Sequence, residues 1–384
     1  IFPPKRIEEI FIPKANNRTR GYVKGVPFTK VRYEPFNPAS RQQIADRLME
    51  KHGWKPSEFT DTGQPKVDED VLASLPFPEC KPLVDYLELL KIIGMLAEGK
   101  NGWLKLVGPD GRIHGRVITN GAVTGRCTHN SPNLAQIPAR GQYGKQCRAL
   151  FAAPPPLVQV GADASGLELR MLAHYLAAYD GGAYAKVLLE GDIHTANQHA
   201  AGLETRDNAK TFIYAFLYGA GDEKLGSIVA PLASSAVQTK RGRALKARFF
   251  RSLPAIKRLI DDVQGVLTGP GKRPYLIGID GRHLHIRSSH SALNTLLQSA
   301  GAVLMKLATV IFHMEAQRRG LRLGEDYVQV LHVHDEAQFN TTPEKADALG
   351  RLFVESIELA GRHFGMRCPT TGEFKVGANW AETH

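Results

Sequence analysis

Two stretches of this chain read as β-strands that lead into an aspartate, and the block between them reads as helix. Leu157 to Ala162 is an apolar run ahead of Asp163, and Tyr327 to Val333 mixes apolar and polar residues ahead of His334, Asp335 and Glu336. Beyond Asp163, the spacing of Leu167, Leu169, Met171, Leu172, Tyr175 and Leu176 predicts a helix, while Asp335 falls at the bend of a hairpin. From roughly 167 to 265 the pattern is mostly helical. Strands at both ends with helices between them imply an α+β fold, a sheet-based core carrying an inserted helical lobe.

Either aspartate alone is at home as a helix N-cap or a turn former. As a pair they suggest more, because hard oxygen ligands on rigid elements suit Mg²⁺. Two such ions about 3.5–4 Å apart can activate an attacking oxygen and stabilise a leaving one. The two residues are 172 positions apart, so spacing cannot show that they meet.

A second pattern lies inside the helical block. Arg206, Lys210, Tyr214 and Tyr218 recur every four residues, which on a helix gives one slanted stripe. Thr205 is placed to cap the start, and Gly219 and Gly221 to stop the helix. The cations fall in the first turns, where the helix dipole also favours anions. The rings follow, where a flat base can stack. The opposite face, Ala209, Phe212, Ile213, Phe216 and Leu217, is apolar enough to be buried.

Composition adds partners to this picture. Lysine and arginine number 49 against 38 acids, a surplus that a phosphate-tracking groove requires. Cys80, Cys127, Cys147 and Cys368 are scattered without a Cys-x-x-Cys pair, which argues against a zinc knuckle or disulfide scaffold and fits a reducing compartment. No apolar run approaches the roughly 18 residues that span a bilayer. The chain opens Ile1-Phe2-Pro3-Pro4 and is expected to begin inside a longer polypeptide. Residues 1–35 read as an extended, loosely packed basic lead-in. Ser40 precedes a helix carrying Ile44, Leu48 and Met49, and Val71 to Leu96 reads as a second helical region interrupted by Pro76, Pro78 and Pro82. At 384 residues two or three lobes are expected.

Three segments together resemble the polymerase motifs of family A (pol I-like) DNA polymerases. They are Asp163-Ala164-Ser165-Gly166-Leu167-Glu168-Leu169-Arg170, then Arg206-x-x-x-Lys210-Thr211-x-x-Tyr214-x-x-x-Tyr218-Gly219, then Val333-His334-Asp335-Glu336. Gly121 to Arg126, Asn133 to Pro138, Gly191 to Thr195 and Asn294 to Gly301 resemble the replicative branch found in podovirus-type phages. The resemblance implies a right-hand architecture: an antiparallel palm sheet, helical fingers and a partial helical thumb. The thumb would span 36–105, the palm 106–176 and 290–384, and the fingers 177–289.

It also implies site roles. Asp163, Asp335 and the Ala164 carbonyl would hold two Mg²⁺ ions, for which Mn²⁺ can substitute. Arg206, Lys210, Tyr214 and His194 would bind the incoming triphosphate, with Lys210 the proton donor to pyrophosphate. Glu168 would be the gate that excludes a ribose 2′-OH, and Tyr214, where many relatives carry Phe, implies tolerance of nucleotides lacking the 3′-OH. On DNA, Tyr218, His334, Gln136, Arg126 and Gln298 would make contact, the last two in the minor groove of the newest pair. The implied partners are primer-template DNA and dNTPs, with replisome proteins or a separately encoded exonuclease besides, for a cytoplasmic monomer that touches no membrane. No Asp-x-Glu exonuclease signature precedes the thumb, so the chain is not expected to proofread. Ala215 stands where the family usually has glycine. A single-subunit RNA polymerase and a non-catalytic DNA clamp are the rival readings.

Overall fold

The structure is a computed structural model and describes residues 1–384 apart from Ser57, Asp61, Arg140 and Leu232. The chain divides into two compact units, Ile1–Gly102 and Trp103–His384.

In the first unit the lead-in is a hairpin. Strands β1 (Lys5–Phe11) and β2 (Phe28–Glu34) pair antiparallel from Lys5↔Glu34 to Phe11↔Phe28. Both are exposed along most of their length, so neither shows the buried-face alternation by which a strand is recognised in sequence. Helix α1 (Arg41–His52) starts at Ser40, whose side chain accepts from the Gln43 N–H, and ends at Gly53 in the left-handed region. Helices α2 (Glu69–Ala73) and α3 (Cys80–Ile93) follow, the latter running on into a π-turn over Gly94–Glu98. Pro82 does not interrupt α3. It sits in the first turn, where its missing N–H has no helical partner to lose. Ile44, Leu48, Leu72, Leu83 and Leu87 close a small core of this unit's own.

The second unit opens with α4 (Trp103–Leu106), β3 (Arg116–Ile118), β4 (Thr128–Asn130), a 3₁₀ turn Leu134–Gln136 and α5 (Gly144–Ala149). Strand β5 (Val158–Ala164) then leads into the helices: α6 (Leu167–Asp180), α7 (Ala183–Glu190), α8 (Ile193–Ala201), α9 (Arg206–Leu217), α10 (Asp222–Ser227), α11 (Ser235–Ser252) and α12 (Pro254–Thr268). A small hairpin of β6 (Tyr275–Ile277) and β7 (His283–His285) precedes the long α13 (Ala292–Arg318). The chain finishes with β8 (Tyr327–Val333), β9 (Glu336–Thr341), α14 (Pro343–His363), β10 (Gly372–Gly377) and α15 (Trp380–Thr383).

The central sheet has the order β10-β5-β9-β8, antiparallel throughout. Strand β5 is thus joined to β9 across the whole helical block. Helix α14 packs on β5 and β10, and α13 packs on α14 and α6. Contrary to the sequence expectation, one helix, Ser289–Arg318, is long and apolar enough to cross a bilayer. Its residues Leu293, Leu297, Leu304, Met305 and Phe312 instead form the middle of this unit's core.

Candidate active site

Two strand ends carry the acids. Asp163 is the next-to-last residue of β5 rather than a helix cap, a role that falls to Gly166 at the head of α6. Across the ladder Asp163 faces Glu336, the first residue of β9. His334 and Asp335 form the two-residue turn between β8 and β9, with His334 at φ +56°. That left-handed conformation is uncommon for a residue with a side chain and marks a turn held by its surroundings. The Ala164 N–H donates to the Asp335 carbonyl at 3.0 Å, which ties the turn to the end of β5. The two acids that sequence spacing could not join are therefore neighbours in space.

Their electrostatics agree. Asp163 keeps a solvent-accessible face within a crowded setting. Burial, then the charges of Asp335 and Glu336, pushes its carboxyl up to about 7. Burial also raises Asp335, against the pull of Arg126 and His334. A cation between two carboxyls held this way would offset the cost of charging them. Glu336 differs: burial pushes its carboxyl up, but hydrogen bonds from His384, Gln338 and Trp380 outweigh that and leave it lowered. Trp380 Nε1 donates to it at 2.6 Å, Gln338 Nε2 at 2.5 Å, and His384 Nδ1 lies at 3.0 Å. Its oxygens are thus engaged by the protein. Among the described residues no group of three or more His, Cys, Asp or Glu forms a metal cage. Two carboxylates and a carbonyl still fit Mg²⁺, which keeps water and takes much of its shell from substrate phosphates.

Helix α9 supplies the other half. Thr205 caps it by accepting from the Asn208 N–H, and Ala209, Phe212, Ile213, Phe216 and Leu217 are buried, so the stripe is left facing outward. Arg206 pairs with Asp192, Nε to Oδ2 at 2.6 Å. Asp192 caps α8 as well, accepting from the His194 and Thr195 N–H groups. His194 is held below its usual range by burial and by the charges of Arg206 and Lys210, and its buried Nδ1 has no partner among the described residues. Its ring lies 6.3 Å from that of Tyr214. Burial raises the Tyr214 phenol, helped by the charges of Glu168 and Asp335. Tyr214, in the middle of the stripe, thus feels the charge of Asp335, while Arg206 pairs with Asp192 and Lys210 acts on His194.

Glu168, in the first turn of α6, is raised by burial although the Tyr218 hydroxyl and Arg126 oppose the shift. Its Oε1 is buried and, among the described residues, without a partner. Tyr218 is pushed up to about 12 by burial and by Glu168. Arg170 does not pair with Glu168; its side chain donates to the backbone carbonyls of Ser165 and Pro369. Arg126 acts electrostatically on Glu168, Asp335 and His334 together. Gln298 stands half-buried on α13, and Gln136 is exposed at the end of its 3₁₀ turn. Among the described residues neither bonds to the acids. His313 is structural, bonding Tyr327 Oη at 2.7 Å and Gln329 Oε1 at 3.1 Å, and His283 stacks on Tyr275 at 3.9 Å. Sequence reasoning missed Asp192 and the donors around Glu336. The only signal for the first was the Gly191-Asp192 step before a helix; the second had none.

Fold and site together put the chain among the right-hand polymerases. It belongs to DNA polymerase family A, whose family model matches residues 24–382. It is 47% identical to the DNA-directed DNA polymerase of Enterobacteria phage T3, over 95% of this chain and 55% of that protein. With the DNA-directed DNA polymerase of Escherichia phage T7 the identity is 46% over the same shares. The thermostable DNA polymerase I of Thermus aquaticus is 29% identical over 90% of this chain and 42% of its own length. The chain thus spans about half the length of its phage relatives. In fold it matches the POL domain of Pol1 from M. smegmatis, solved as a complex with DNA primer-template and dNTP, at a TM-score of 0.77 and 23% identity, over 91% of this chain and 62% of that one.

Proposed function

We propose that this chain adds deoxynucleotides to a primer 3′ end under the direction of a template strand. One observation carries the reading: β5 and the β8–β9 turn bring Asp163 and Asp335 together beside the outward stripe of α9. Asp163, Asp335 and the Ala164 carbonyl would hold two Mg²⁺ ions, which lower the pKa of the attacking hydroxyl and offset charge on the leaving oxygen. The residues of this chain do the rest. Arg206, Lys210 and His194 receive the triphosphate at the start of α9, and Lys210 protonates the departing pyrophosphate. The new phosphodiester bond joins the primer 3′ oxygen to the α-phosphorus as the bond to the bridging oxygen breaks.

Tyr214 and Tyr218 offer their rings to the nascent pair. Glu168, half-buried with an oxygen that has no partner among the described residues, fills the space that a 2′-OH would need. His334, exposed at the turn, meets the primer end, while Arg126 and Gln298 read minor-groove acceptors common to all correct pairs. Palm, fingers and thumb would be residues 106–176 with 290–384, 177–289 and 36–105. Proofreading is assigned to none of these residues. The test is extension of a primed template in Mg²⁺ with dNTPs or rNTPs. Wild type is expected to use dNTPs, and Asp163→Ala and Asp335→Ala to lose about 10³-fold or more. Full extension by either variant, or preference for rNTPs, overturns the reading.

A further inference from the structure

The segment from Thr119 to Cys127, between β3 and β4, carries Arg126 and has bonds of its own, among them Arg126 N–H to Thr124 Oγ1 at 3.4 Å and a long contact of Cys127 Sγ with the Thr119 carbonyl at 3.7 Å. Gly125 donates to Ala122 at 2.8 Å, and Ala122 to the Arg126 carbonyl at 3.3 Å. Two cations from distant parts of the chain close over it. Lys306, on α13, donates to the carbonyls of both Thr119 and Gly125, near the two ends of the loop. Arg282, in the turn between β6 and β7, donates to Asn120 Oδ1 at 3.4 Å. Its guanidinium lies so close over Gly125 that an added Cβ would come within 2.5 Å of it. Arg282 is itself anchored to Asp280 at 2.7 Å.

We propose that Lys306 is a positioning residue, stapling both ends of this loop to the helix that carries Gln298, so that Arg126 and Gln298 meet the primer-terminal pair from one rigid frame. The inference rests on the minor-groove reading of Arg126 given above. An ammonium has three donors, and drawing it from water costs free energy unless they are used. Lys306 is half-buried and, among the described residues, makes no ion pair. Its donors go to backbone carbonyls, which fix a loop's path, rather than to an acid whose charge needs cancelling. Helix α13 runs through the core of its unit, so whatever is bonded to it inherits that rigidity. Two probes that must span one base pair gain discrimination only if their separation is fixed, since a loose probe accepts a misshapen pair as readily as a correct one.

The test is single-nucleotide extension from matched and mispaired primer ends by wild type, Lys306→Met, Arg126→Ala and the double variant, with thermal unfolding alongside. Lys306→Met keeps the apolar stem and removes the donors. It is expected to slow extension from a matched end about tenfold, to narrow the preference for matched over mispaired ends, and to leave the KM for dNTP near wild type. In the Arg126→Ala background the same change is expected to do nothing further, and Lys306→Arg to recover part of the loss. Should Lys306→Met melt early, Lys306→Gln serves in its place. If Arg126→Ala alone leaves the matched preference intact, the minor-groove reading has failed and the staple falls with it. If Arg126→Ala matters but Lys306→Met does not, or the two losses multiply, the staple alone is wrong.

Discussion

The two halves of the site are built on opposite plans. The acids stand at the end of β5 and in the β8–β9 turn, where the β5–β9 ladder and the Ala164 N–H bond to the Asp335 carbonyl hold them close. The cations are the tips of long side chains on α9; Arg206, about half-exposed, is tethered by a counter-charge, Asp192, rather than by packing. One side is set by backbone pairing and holds two carboxyls raised mainly by burial. On the other, Arg206 already has an acid as its partner.

Three experiments would break or sharpen that contrast. The largest effect is expected from Lys210→Ala, which removes the proposed proton donor: extension should fall by on the order of 10²–10⁴-fold, with primer-template affinity little changed in a filter-binding assay. A proportionate loss of DNA affinity would instead make Lys210 a phosphate anchor. A smaller effect is expected on stability in chelator. The Asp163 carboxyl is raised to about 7 in the folded chain. The folded state therefore binds that proton more tightly than the unfolded state does, and stability declines as pH rises from the ordinary carboxylate range through about 7. Asp163→Asn should flatten that decline and lift the Tm above pH 7, by only a few degrees because Asp163 is solvent-accessible and partly screened. Mg²⁺ should lift wild type more than the variant. An unchanged pH slope would mean that the acids are not strained. The smallest effect is expected from Asp192→Asn, which can keep the cap on α8 while releasing Arg206. The KM for dNTP should fall by roughly two- to fivefold, the worth of an exposed ion pair, and a rise would mean that Asp192 orients Arg206 instead of competing for it.

Much of this site was legible in the residues. The α9 stripe needed only a period of four and a Thr cap, and the structure exposes that stripe while burying the opposite face. The strand before Asp163 was legible because β5 is buried almost throughout. The β1–β2 hairpin was read as loose lead-in because strands exposed on both sides carry no alternation to detect. Pro82 was read as a break because a proline's effect depends on its distance from the helix start, and that start is not marked: Glu79 makes no side-chain cap. Two of the three Glu336 partners lie 44 and 48 positions away at Trp380 and His384, and no local rule pairs residues across such a span. The loop staple was hidden for the same reason, since a lysine that bonds backbone carbonyls looks in sequence like any lysine on a helix.

The facing of Asp163 and Glu336 across the β5–β9 ladder has one more consequence. Side chains alternate faces along a strand, so adding or deleting a single residue in either would turn the acids to the other side of the sheet while leaving composition and hydropathy almost untouched. These two short strands should therefore accept scarcely any change of length, and little enlargement at their buried positions either: at Gly161 an added Cβ would come within 2.4 Å of the Thr383 carbonyl. In them the count of residues, as much as their kind, decides which face the acids occupy.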